Sequence, residues 1–108
     1  MNLIDMVQRL RSGEKVAEMS ERIARDLHER VWQRVAERAH YLGLSELRGY
    51  VRARAAILVH HEVAVACESA NLPVQDLLTD AVHQAIVRRM VTQARQLRSA
   101  GVTTRRAA

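Results

Sequence analysis

From Val16 onward the apolar residues recur every three or four positions: Val16, Met19, Ile23, Leu27, Val31, Val35, Ala39 and Leu42. That spacing marks one face of an α-helix. It predicts a long helix over about Glu14–Leu42. The opposite face carries acid–base pairs four apart, Glu18 with Arg22, Glu21 with Arg25 and Asp26 with Arg30, each adding roughly 0.2–0.5 kcal/mol. A short helix is expected ahead of it, about Asn2–Arg11, with Leu3, Val7 and Leu10 on one side and Gly13 as its stop. After the long helix, Gly43 reads as a C-terminal stop. Leu44 then folds back and Ser45 caps a third helix over about Glu46–Ala70. Asn71 and Pro73 mark the next break, and a fourth helix follows over about Val74–Ser99. Its early Asp76 and Asp80 and late Arg88, Arg89, Arg95 and Arg98 suit the helix dipole.

Residues 55–67, AAILVHHEVAVAC, are apolar around nearly the whole helical circumference, with His60, His61 and Glu62 in their middle. A helix of that kind must be covered on more than one side. Short connections between long helices imply antiparallel neighbours. The expected fold is therefore all-α: an antiparallel up-down bundle of three long helices plus the short N-terminal one, a single domain over residues 1–99. Residues 100–108 are expected to form a frayed basic tail. Too few helices surround the third to cover it, so homodimerisation is expected to complete the core. Gly49, Ala53, Ala56, His60, Ala64 and Cys67 form a small-residue edge of that helix, and with Trp32 they are the expected dimer seam.

Composition narrows the picture. The 108 residues are 48% hydrophobic but only 3% aromatic, with no Phe, one Pro and four Gly. That leaves little turn punctuation for a β protein. The one cysteine, Cys67, has no partner for an internal disulfide and reads as a small buried hydrophobe. No signal peptide or membrane-length apolar run is visible, so the expected setting is bacterial, cytoplasmic and free of membrane. The formal net charge is +5, with 16 Arg and a single Lys. Such an excess fits either bidentate binding of phosphate or carboxylate, or a GC-rich coding sequence.

Candidate chemistry centres on the histidines. No residue three or four positions from His60 or His61 is a metal ligand, so a site on that helix alone is excluded. Across helices, hairpin arithmetic puts His28 and His83 level with His60, with Asp80 one turn from His83. His28, His60, His61, His83 and Asp80 are therefore the expected polar layer, as a metal site or, more simply, as packed and hydrogen-bonded side chains. Glu37 with His40 and Asp80 with His83 share the spacing of a di-iron bundle but do not converge, and further carboxylates are lacking. No phosphate loop, zinc motif or Ser-His-Asp arrangement is present.

The same arithmetic gathers Arg34, Arg38, Arg48, Arg52, Arg54, Arg88, Arg89, Arg95, Arg98, Arg105 and Arg106 towards one end and most carboxylates towards the other. Arg34, Arg48, Arg52, Arg54, Arg88, Arg89, Arg95 and Arg98 are the expected anion or nucleic-acid contacts. AHYLGLSELRGYVR looks like the turn of a helix-turn-helix, but Gly49 and Arg52 stand where its second helix needs apolar residues. The expected role is non-catalytic: protein–protein association as an adaptor, regulator or subunit, self-associating, with no cofactor. Partners are a second copy or an acidic protein. An Arg-mediated nucleic-acid binder is the alternative and a metal-binding bundle the third reading.

Overall fold

A computed structural model describes residues 3–70 and 75–107, with the side chains of 4–12 and of 101 onward outside the description. Three helices make up the chain, α1 Leu3–Ala39, α2 Leu44–Ala70 and α3 Gln75–Ala107. There is no strand among the described residues. Each helix packs against both others, as an all-α bundle requires.

Two expected boundaries move. α1 runs through Gly13 without a stop. Glycine lowers helix propensity by about 1 kcal/mol relative to alanine but does not forbid a helix, and Gly13 does not adopt the left-handed backbone of a helix terminator. α3 continues past Ser99 to Ala107. The expected break at Asn71 and Pro73 lies outside the described residues.

The α1–α2 turn also differs in detail. The Arg38 carbonyl accepts from the Tyr41 N–H at 3.0 Å and the Leu42 N–H at 3.2 Å, which closes α1. Gly43 does not take up the left-handed region. Its carbonyl accepts from the Leu47 N–H at 2.8 Å, so Gly43 itself is the N-cap of α2, and Ser45 sits two residues too late to cap. Leu44 begins α2 partly exposed rather than folding back. The Arg38 guanidinium lies 5.6 Å from the centre of the Tyr50 ring, a cation–π contact that ties the two arms of the hairpin.

The core is built on three stripes that step by four residues, with Ala24, Ala85 and Val91 buried beside them. α1 gives Met19, Ile23, Leu27, Val31, Val35 and Ala39; α2 gives Leu47, Val51, Ala55, Val59, Val63 and Cys67; α3 gives Leu78, Val82, Ile86, Met90 and Ala94. Ridges four apart that pack into one another are the commonest way for helices to meet. Many of these positions are valine, a weak helix former, so burial rather than propensity holds the helices. A fully buried Val or Leu contributes about 1.5–3 kcal/mol. The ion pairs Arg30–Glu62, Arg52–Asp80 and Arg88–Glu21 are substantially exposed and worth about 0–1 kcal/mol each.

The molecule is a rod, 63 × 26 × 21 Å, with a radius of gyration of 17.0 Å. A compact domain of this length would have about 13 Å. A rod of three helices exposes one side of each. On α2 that side carries an apolar strip, Gly49, Ala53, Ala56 and Ile57, between charged flanks.

Candidate functional site

Three surfaces gather the side chains with chemistry. The first is a groove between α2 and α3, about 600 Å³, walled by Arg48 and Arg52 on α2 and by Arg88 and Arg95 on α3. Each arginine stands one position beyond or two before a buried stripe residue, which puts it on the groove rim. Gln84 and Thr92 add neutral hydrogen-bonding groups, and Val87 and Val91 form the floor. Arg52 reaches Asp80 at 3.4 Å and Arg88 reaches Glu21 at 3.1 Å. Gln84 also donates to the second Asp80 oxygen, at 3.0 Å.

The second surface is a shallower groove of about 430 Å³ between α1 and α3, lined in part by His28, Arg89, Gln93 and Gln96. His28 Nε2–H donates to Gln93 Oε1 at 2.5 Å, which leaves Nδ1 buried without a partner. Arg89 Nε is buried unpartnered in the same way.

The third is the outward face of α2. Gly49, Ala53, Ala56, Ile57 and His60 are exposed there and Ala64 is half-buried. Ile57 is 79% exposed. No formally charged residue shares this face between Glu46 and Glu68, a length of over 20 Å at about 1.5 Å per residue. Five of the six expected seam residues on α2 thus share one open face. Cys67 does not; it is buried in the core. Trp32 is half-buried against the core from α1.

The histidines do not converge. Opposite His28 on α3 stands Gln93, not His83. His83 lies instead beside Arg52 and Asp80; burial first, and then the Arg52 guanidinium, hold its imidazolium below the usual histidine range, against an opposing pull from Asp80. His60 and His61 are exposed, while the neighbouring Glu62 bridges to Arg30 at 3.6 Å. Among the described residues no three His, Cys, Asp or Glu side chains are placed to hold a metal ion. The expected polar layer is therefore not assembled. Where α3 meets His28 it presents a residue ten positions beyond the one hairpin counting gives, a local shift of about 15 Å at 1.5 Å per residue that is much smaller at the Arg98 end.

The charge layout is corrected by the same shift. Arg52–Asp80 and Arg88–Glu21 join residues expected at opposite ends, so the middle of the rod is mixed in sign. The far pole is as expected. Arg98 Nη2 donates to the Ala39 carbonyl at 2.5 Å and the Leu42 carbonyl at 2.6 Å, which places the α1 C-terminus, the start of α2 and the last part of α3 together. This removes Arg98 from the free anion contacts. It satisfies carbonyls that every helix end leaves orphaned, and a cation is favoured at that end of the helix dipole. Arg34 and Arg54 are exposed but line none of these grooves.

Sequence reasoning missed Gln84, Thr92 and Gln93, because a neutral polar residue carries no signal until its neighbour is known. It also missed the Arg98 cap, for which a signal existed: an arginine in the part of α3 that must end near a helix C-terminus. Compared with protein families, with curated proteins and with solved structures, the chain gives no significant match. No helix among the described residues is long and apolar enough to cross a membrane.

Proposed function

We propose that this chain is a non-catalytic helical bundle that works by protein–protein association, and that the first partner is a second copy of itself, docked through the outward face of α2. The observation that carries this reading is the uncharged, exposed run of Gly49, Ala53, Ala56, Ile57 and His60. Nothing lies within 4 Å of where a Cβ on Gly49 would sit, so its own fold does not demand a small residue there. Small side chains on both copies let two helices approach closely, and a two-fold pairing needs one self-complementary patch. An antiparallel pairing further sets the basic start of α2, with Arg48, Arg52 and Arg54, beside its acidic end, with Glu62 and Glu68.

Sedimentation velocity tests it. The wild-type chain is expected to dimerise, and Ile57→Asp to be monomeric with unchanged helical circular dichroism. A wild-type chain that stays monomeric at every salt and protein concentration would sink the reading. The basic start of each α2 set beside the acidic end of the other adds attraction, so the dimer is expected to loosen modestly as salt is raised.

A further inference from the structure

We propose that the α2–α3 groove is a second binding site, which grips the phosphate backbone of a nucleic-acid duplex through Arg48, Arg52, Arg88 and Arg95. The site does not rest on self-association, because the groove lies within one copy; Arg52 stands only about 40° from Ala56 around α2, at the rim of the uncharged face.

Four arginines from two helices line one groove, with the Arg88 guanidinium turned towards Glu21 on α1. Two of them have carboxylate neighbours, Asp80 and Glu21, but both pairs are exposed, with side-chain accessibilities of 48% and 58% in one and 72% and 54% in the other. Such pairs open at little cost. Arg48 and Arg95 have no acidic partner among the described residues. Their charge is therefore available to a ligand. All four are arginine, whose planar fork matches phosphate oxygens two at a time.

The geometry selects among anions. Arg88 and Arg95 are separated by about 10 Å of helix rise, more than one phosphate spans, so the ligand is a polyanion. An acidic amphipathic helix would need a continuous apolar floor. Val91 is already buried, at 7% exposure, and only half-buried Val87 remains to meet it. A single strand would need aromatic platforms for its bases. The groove has none: Tyr50 is engaged by Arg38 and Trp32 packs on the core. What remains is a backbone contact without base readout, drawn in by the net charge of +5.

Fluorescence anisotropy with a short mixed-sequence DNA duplex decides it, using the full chain. At low salt the duplex is expected to bind, with a log–log salt slope of about −3 to −4, since each neutralised phosphate contributes about 0.9. Arg48→Glu with Arg95→Glu should lower affinity roughly tenfold or more and flatten the slope by about 2. Arg34→Glu with Arg54→Glu makes the same change in net charge outside the groove and should matter less than about threefold. If the first pair disturbs the fold by circular dichroism, Arg48→Gln with Arg95→Gln replaces it. Equal losses in both pairs would reduce the effect to bulk charge and overturn the site. So would tighter binding of the single strand, displacement of the duplex by polyglutamate at equal charge, or no binding at low salt.

Discussion

The two sides of α2 are built from similar residues and do opposite things. Inward, Leu47, Val51, Ala55, Val59 and Val63 are wholly buried. Outward, Gly49, Ala53, Ala56 and Ile57 are exposed. Hydrophobicity does not separate them, and neither does size, since Ala55 is buried and Ile57 exposed; spacing does. The inner residues step strictly by four and meet α1 and α3. Burial thus follows from where a neighbour exists, not from the residue's own hydrophobicity.

The sharpest way to break this contrast is to truncate one residue on each side. Leu47→Ala should destabilise the fold by about 2–5 kcal/mol in urea unfolding, because it leaves a cavity in a packed stripe. Arg98→Ala is expected to come next, at about 1–3 kcal/mol, since it strands the helix-end carbonyl of Ala39 and the turn carbonyl of Leu42; Arg98→Lys should recover part of that loss. Removing His28 and Gln93 singly and together should give a coupling of about 0.5–1.5 kcal/mol across the α1–α3 groove. Ile57→Asp, on the outer side, should change the monomer's stability by less than about 0.5 kcal/mol while abolishing association. A loss as large as that from Leu47→Ala would show that the outer face is part of the chain's own core.

The smallest effect is on pH. The folded state lowers the proton affinity of His83. As pH falls through the ordinary histidine range, the unfolded chain therefore takes up more protons than the folded one, and stability falls with it. Melting temperature should drop on going from about pH 7.5 to about pH 5, and His83→Gln should remove that part of the slope. An unchanged slope in the variant would assign the effect to other groups.

Much of this architecture was legible in the chain. The α1 stripe from Met19 to Ala39 is buried at each expected position, and the pairing of α1 with α2 follows from the short turn, as Arg30 meeting Glu62 shows. Two things were not legible. The inward face of α2 was hidden because that helix is apolar almost all round, so no amphipathic signal distinguishes its sides. The level of α3 was also hidden. Counting through hairpins treats helices as parallel rods and ignores the inclination that four-residue ridges impose. The error falls where α1 meets α3, and it replaced Gln93 by His83 opposite His28. Of the candidate arginines, Arg48, Arg52, Arg88 and Arg95 come together, whereas Arg34 and Arg54 stand apart and Arg98 is spent on a helix end.

A bundle whose helices all count in fours has only one natural unit of growth. Four residues advance an α-helix by a little over one turn, about 400°, so adding four to each arm at matched heights supplies one more rung and turns what lies beyond by only about 40°. Adding three turns it about 60° the other way and seven about 20°, but neither adds a whole number of four-residue rungs. Length in this molecule is quantised, and its lineage would be expected to have lengthened or shortened in that step.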